Sequence, residues 1–344
     1  MVLRAAIQLA RTDDHEAVDE PGRLLDVASE SPPMNAKKLK LLVIINPNAS
    51  RAMEALPRVT EWLAENASAV VVIANKKGDL KKLLKAHGPD ADRIVICGGD
   101  GTLSKALPVL LKLGKPLAVL PLGTANDFAR TLGIPSDPIE AIKTALGGRE
   151  HKIDVGFANG IPFLNVASVG FASEALKGQS KALKRTWKVL AYPISLVRAI
   201  RNLQPFFVDL DIDDRPRWSA AVYQVSVGNG RYHGGGLSVA EDAAIDDGKL
   251  DLYVVYPGTF WQLFACLTHL RFGLMKKPEV LARHTARRMK LSTSRPREIN
   301  ADGRLATKTP AEFTLAHNAL TAIVPRKRPK TAALEQDVTA SRAR

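Results

Sequence analysis

The sequence predicts an α/β protein, with a parallel-sheet half followed by an antiparallel sheet or sandwich. As far as about Gly148, short apolar runs alternate with stretches of helical spacing. That alternation goes with a parallel sheet covered by helices on both faces. Beyond it the apolar runs are separated by turn residues, the texture of antiparallel strands. The 344 residues are enough for two domains, each with its own core.

Taken in order, residues 39–45 read as a strand ending in a loop at Asn46-Pro47. Residues 53–66 have helical spacing, 69–74 form a β-branched run, and 79–87 are helical again. Residues 94–97 are a buried strand entering a glycine turn, 102–112 the helix after it, and 116–121 the next strand. Residues 127–132 and 138–146 read as helices. In the second half, residues 206–212, 220–227, 250–255, 288–291, 312–315 and 320–324 read as strands. Two stretches, 181–202 and 260–274, are helical and mix cations with apolar and aromatic residues. Either they pack on the sandwich with a solvated basic face, or they rest on an anionic membrane. Residues 1–36 combine acidic and Pro-rich segments without a sustained period and read as a largely disordered extension. The expected division is 37–148, 149–324, and a basic tail at 325–344.

The net charge of +14 points to anionic partners: nucleic acid, anionic lipid headgroups or nucleotide phosphates. No aromatic-basic RNA signature or helix-turn-helix is present, which argues against nucleic acid. The two cysteines, Cys97 and Cys266, are far apart and lack metal-ligand spacing, so a reducing cytoplasm is expected. No apolar window reaches about 18 residues, so no transmembrane helix is expected.

The informative segment is Cys97-Gly98-Gly99-Asp100-Gly101-Thr102. A strand ends, glycines follow, and a helix begins. Glycines let backbone N–H groups approach a phosphate without Cβ clashes, and the helix N-terminus adds positive potential. Thr102 either caps the helix or hydrogen-bonds a phosphate. Asp100 beside a phosphate calls for an intervening cation, with Mg²⁺ the natural one; an ordinary strand–turn–helix connection with an Asp cap also fits. A second turn, Pro121-Leu122-Gly123-Thr124-Ala125-Asn126-Asp127-Phe128, again follows a strand and precedes a helix. In a parallel sheet both turns lie at the carboxyl edge, where ligands bind. Thr124 and Asn126 face a nucleotide there, and Asp127 either caps its helix or joins a metal–water network. Asn46 and Arg51 follow the first strand at the same edge, with Arg51 a phosphate-binding candidate. There is no GxxxxGK[ST] loop and no dinucleotide-binding GxGxxG.

Four segments in order resemble the diacylglycerol kinase catalytic-domain family, in its bacterial soluble lipid kinase branch. They are Asn46-Pro47; Gly98-Gly99-Asp100-Gly101-Thr102; Leu120 through Ala129; and Gly234-Gly235-Gly236 followed by Asp246-Asp247-Gly248-Lys249-Leu250-Asp251. The resemblance spans about residues 38–324. Sphingosine and ceramide kinases are relatives, and NAD kinases and phosphofructokinases more distant ones. It implies a nucleotide-binding α/β domain of the NAD-kinase/phosphofructokinase type, an antiparallel β-sandwich domain and a cleft between them. It implies ATP as donor, Mg²⁺ as cofactor, and a lipid alcohol such as diacylglycerol as acceptor, met by transient contact with an anionic membrane from the cytoplasmic side. Gly98, Gly99, Gly101, Thr102 and Thr124 would line the ATP site. Asp100, Asn126 and Asp127 would form the Mg²⁺–water network, joined by Asp154. A structural Mg²⁺ would sit on the Asp247 carboxylate and the carbonyls of Ala244 and Lys249. The family's base lies in an Asp-Gly-Glu motif; here Asp302-Gly303 is followed by Arg304. Ser104 and Lys105 stand where the family has Asn-Glu, and Ala74 where it offers a Thr. These departures leave open a catalytically weak lipid- or nucleotide-binding regulator on the same fold, or a kinase for ceramide, a sphingoid base or a soluble polyol.

Overall fold

The computed structural model describes residues 25–27, 39–76, 78–170, 204–213, 215–230, 232–233, 237–238, 244–272 and 279–326. The stretch 181–202, the Gly234-Gly235-Gly236 run and most of the basic tail lie outside the described residues.

The first half is the parallel sheet expected. Strand β2 (Lys40–Ile45) lies between β3 (Ser68–Ile73) and β4 (Arg93–Gly98), and β4 pairs with β5 (Leu117–Pro121), all parallel. Residues 41–45 are all buried, as strands covered on both faces must be. The covering helices are α1 (Ala52–Asn66), α2 (Asp79–His87), α3 (Asp100–Leu113), α4 (Asp127–Thr131) and α5 (Pro138–Gly147). Local chemistry sets their ends. Asp137 caps α5 by accepting the N–H groups of Ile139 and Glu140, with Pro138 opening the helix. Gly114, left-handed at φ 62°, ends α3. α3 starts at Asp100 itself, two residues ahead of the sequence reading. Within the extension, Leu25–Val27 forms a short strand, β1, antiparallel to β3.

The second half contributes β6 (Arg149–Ala158), β7 (Ile161–Phe163), β8 (Val166–Gly170), β9 (Phe206–Ile212), β10 (Trp218–Val222), β11 (Gln224–Gly228), β12 (Tyr232–His233), β13 (Leu237–Ser238) and β14 (Leu250–Val255). Then come α6 (Phe260–Phe272), β15 (Leu281–Ala286), β16 (Arg288–Thr293), β17 (Glu298–Ala301), β18 (Arg304–Lys308) and β19 (Ala311–Val324). One sheet runs β1-β3-β2-β4-β5-β19-β16-β9-β10, with β6 and β7 joined through β19; a second runs β15-β14-β11-β8-β17-β18. Phe163, Val169, Leu210, Val225, Leu252 and Phe313 fill the space between them. The larger sheet therefore does not stop at residue 148: β19 pairs with β5 in parallel and with β6 antiparallel.

Two strand readings change. Residues 220–227 are two strands split at Tyr223, one in each sheet. Residues 312–315 and 320–324 are one strand, β19, whose register slips between Ala316 and Leu320. Phe313→Ala should leave a cavity between the sheets and lower stability by about 3–5 kcal/mol. Phe207→Ala, on neighbouring β9 but 68% exposed, should change it by less than about 0.5 kcal/mol. Denaturant unfolding of both variants checks the contrast.

Candidate active site

The two glycine turns meet backbone to backbone. A Cβ on Gly123 would lie 2.5 Å from the Gly99 Cα, and one on Gly99 would lie 2.9 Å from the Gly123 Cα. Only glycine permits this approach. Asn126 rivets its own turn from a left-handed backbone: its Oδ1 accepts the Gly123 N–H at 2.9 Å and its Nδ2 donates to the Gly123 carbonyl at 2.8 Å. Thr102 is buried and its Oγ1 accepts from Asn46 Nδ2 at 2.9 Å. The first loop docks on the second turn, since Arg51 N–H and Ser50 Oγ both donate to the Leu122 carbonyl. The Arg51 guanidinium donates to the Ser136 carbonyl. Thr124 is exposed at the tip of the second turn, and Gly101 has open space where a side chain would stand.

The Asp100 carboxylate joins the two turns. Its Oδ2 accepts the N–H of Asp127 at 3.1 Å and its Oδ1 accepts that of Phe128 at 3.0 Å. It caps the first turn of α4 from another helix. The Asp127 carboxylate lies 3.6 Å from Arg130.

The second half brings Asp302 to the same cleft. Asp302 and Gly303 have φ of 46° and 78° and form the tight turn between β17 and β18. The Asp302 carboxylate accepts three backbone N–H groups, from Leu164 at 2.8 Å, Asn165 at 2.9 Å and Val166 at 3.2 Å. Burial pushes its carboxyl up to about 6, with the nearby Asp100 charge adding to the rise and the three N–H donors opposing it. Asn165, which the sequence reading did not single out, closes the circuit: its Nδ2 donates to Asp100 Oδ1 at 3.4 Å. Its only sequence signal is a lone amide inside the apolar run 161–169. The side-chain oxygens of Asn165 and Asn229 are buried without a hydrogen-bond partner among the described residues. Arg304 is half-buried and has no hydrogen-bond or ion-pair partner among them.

Asp154 is fully buried on β6. It accepts from Gly248 N–H at 2.7 Å, Asn318 N–H at 2.8 Å and His317 Nδ1 at 2.7 Å. The slip in β19 supplies the last two donors. Asp154 thus anchors the Asp247 loop rather than lying open toward the glycine turns. Asp247 takes the Lys249 N–H at 3.0 Å. Partial burial, with Asp154 and Asp246 nearby, raises its carboxyl above the ordinary range against that hydrogen bond. A cation on the Asp247 carboxylate and the Ala244 and Lys249 carbonyls would relieve this crowding of acids, and an all-oxygen donor set suits Mg²⁺. Among the described residues no three His, Cys, Asp or Glu side chains converge on an ion. A cation in the main cleft fits the other common mode, brought in on phosphates and held by one or two carboxylates.

The family models match this geometry in two pieces. The diacylglycerol kinase catalytic domain matches residues 40–158, which carry both glycine turns. The YegS C-terminal NAD kinase beta sandwich-like domain matches residues 165–324, which carry Asn165 and the Asp302 turn. A Stenotrophomonas maltophilia (strain K279a) protein named "Probable lipid kinase YegS-like" is 31% identical over 276 residues, covering 76% of this chain and 88% of its own length. The chain belongs to the diacylglycerol kinase and YegS-like lipid kinase family. A protein named diacylglycerol kinase from Bacillus subtilis (strain 168) is 29% identical over 241 residues, 69% of this chain and 79% of that protein. The crystal structure of a diacylglycerol kinase from Bacillus anthracis str. Sterne superposes with a TM-score of 0.66 at 25% identity, covering 85% of this chain and 99% of that one. This protein is thus a lipid kinase, with the two-part fold the sequence predicts.

Gly123→Ala in this lipid kinase should force the two turns apart and cost about 1–3 kcal/mol, while Gly101→Ala meets nothing within 4 Å and should not. Thermal melts separate them. Because the folded Asp302 carboxyl sits near 6 against an ordinary 3.8, the folded state holds its proton where the unfolded chain has lost it. Stability should fall as pH rises between those values, by about 3 kcal/mol from this group. Urea unfolding across that window should show the fall in the wild type and lose it in Asp302→Asn.

Proposed function

We propose that this lipid kinase transfers the γ-phosphate of ATP to the hydroxyl of diacylglycerol or a closely related lipid alcohol. The observation that carries the reading is the path Asp100–Asn165–Asp302, which joins the phosphate-binding turns to a buried carboxylate in one cleft.

The nucleotide phosphates lie against Gly98, Gly99, Gly101 and Thr102 at the start of α3, where N–H groups and the helix terminus favour negative charge. Thr124, Asn46 and Arg51 flank them. Asp100, Asn126 and Asp127 would hold a Mg²⁺, which would supply charge neutralisation at the phosphates. Phosphoryl transfer otherwise depends on positioning. Asp302 receives the proton. Three N–H groups occupy three of its roughly four acceptor positions, so one remains for the lipid hydroxyl. The hydroxyl oxygen bonds to the γ-phosphorus, the bond to the β-phosphate oxygen breaks, and the proton passes to Asp302. A carboxyl near 6 is poised for this above that pH. The Asp247 carboxylate and the Ala244 and Lys249 carbonyls would hold a second, structural Mg²⁺ on the loop that Asp154 anchors. The enzyme works from the cytoplasmic side, in peripheral contact with the membrane.

Incubation with labelled ATP, Mg²⁺ and a total lipid extract should yield one phosphorylated lipid. Asp302→Asn should slow transfer by roughly 10²- to 10⁴-fold, and nucleotide binding by the variant separates lost chemistry from lost structure. Asp100→Asn should abolish transfer, and Arg304→Ala should retain it. The wild-type rate should drop as pH falls below about 6. Nucleotide binding without label in any lipid would overturn the assignment of ATP and a lipid hydroxyl.

A further inference from the structure

Helix α6 covers the outer face of the six-stranded sheet. Its Cys266 is buried with Tyr253, Val280 and Leu281, on the side of β14 away from the inter-sheet core. The opening of the helix is apolar on its solvent side as well. Trp261 is 74% exposed and Phe264 39%. The rings of Phe260, Trp261 and Phe264 touch one another, with centroids 5.2 Å (Phe260–Trp261), 6.3 Å (Phe260–Phe264) and 6.5 Å (Trp261–Phe264) apart. Three rings in mutual contact make one apolar knob, unlike the scattered single residues that any surface shows.

The charge of this stretch of sequence is one-sided. Between residues 252 and 278 the chain has no carboxylate and three permanent cations, Arg271, Lys276 and Lys277. A surface helix normally sets charges of both signs opposite its buried stripe. Exposed aromatics in a segment whose sequence carries cations and no acids match the headgroup region of an anionic bilayer, where Trp and Phe rings lie at the boundary and cations meet phosphates. The net charge of +14 draws the whole molecule to such a surface. A lipid-phosphorylating enzyme must reach its acceptor there, and no helix among the described residues is long and apolar enough to cross a membrane.

We propose that Phe260, Trp261 and Phe264 enter the headgroup–acyl boundary of an anionic bilayer and dock the kinase on it. This rests on the membrane-contacting kinase reading above and names the surface that makes the contact. The three rings supply the buried apolar area, and the chain's net charge of +14 selects anionic lipid. The three rings belong to none of the turns that form the site, so docking and chemistry can be tested separately.

The test uses the full chain, wild type and Trp261→Ser/Phe264→Ser. Each is sedimented with vesicles of phosphatidylcholine alone or mixed with phosphatidylglycerol. Each is also assayed on monomeric short-chain diacylglycerol and on long-chain diacylglycerol in vesicles. The wild type should sediment with the anionic vesicles. The double variant should lose about tenfold or more of that partition, lose turnover on vesicles in parallel, and keep its short-chain turnover. Trp261→Phe should retain binding. Equal sedimentation of wild type and double variant would overturn the proposal. So would a wild-type dimer in size-exclusion chromatography that the double variant dissolves, since a second copy would then cover the patch. Sedimentation that follows the expected pattern without phosphorylation of either diacylglycerol would support the docking surface and overturn that acceptor.

Discussion

The pairing of β6 with β19 is the constraint on which the cleft depends. From Arg149↔Val324 to Ala158↔Phe313 these strands form a long antiparallel ribbon. On its other side β19 meets β5, the last strand of the parallel sheet, and β16 of the sandwich. One strand thus belongs to both halves. Without it the two sheets would share no strand, and the halves would meet only through side chains and helix packing such as the Asn165–Asp100 contact. With it, the hairpin that follows β6 delivers Leu164, Asn165 and Val166 at a fixed place opposite α3. The Asp302 turn caps those residues, and Asn165 reaches Asp100.

Within that frame the site is built from buried and half-buried acids answered by backbone N–H groups. Asp100, Asp154 and Asp302 accept two, two and three of them respectively. Such bonds favour the ionised carboxylate, while burial disfavours it. At Asp302 burial wins, and the carboxyl rises. The cluster is locally negative in a chain of net charge +14. These two facts act at different ranges. The summed positive charge attracts anionic substrates from a distance. Close in, acids beside phosphates require cations between them, which is the arrangement a phosphoryl-transfer site uses.

Much of the first half was legible in the sequence because its strands are buried on both faces and read as unbroken apolar runs. The glycine turns were legible because only glycine allows Gly99 and Gly123 to touch. What could not be read was which backbone each carboxylate meets. Asp100 caps a helix 27 positions further on, and Asp302 caps residues well over a hundred positions earlier. Nothing local marks either partner. Asn165 was missed for the same reason. In the second half, Tyr223 looks like one more residue of a continuous run, yet the chain changes sheets there. His317, Asn318 and Ala319 look like a turn between two strands, yet they are an irregularity inside one. Their departure from the ladder has a local cause in Asp154, which takes two donors from them.

That irregularity also ties the two acid clusters together. Asp154 holds the Asp247 loop through Gly248 N–H, and its own carbonyl accepts from Asn229 Nδ2. The same amide donates to the Leu164 carbonyl, and the Leu164 N–H donates to Asp302. A continuous run of hydrogen bonds therefore leads from the Asp247 loop to the carboxylate proposed to receive the proton. Every link in it is buried except the loop itself, so a change in the loop is not absorbed by water. Opening the loop would take the Gly248 N–H from Asp154 Oδ2 and leave that buried oxygen short of a donor, a costly state. The loop's closure and the placement of Asp302 are parts of one polar network, and the pairing of β6 with β19 holds that network in register.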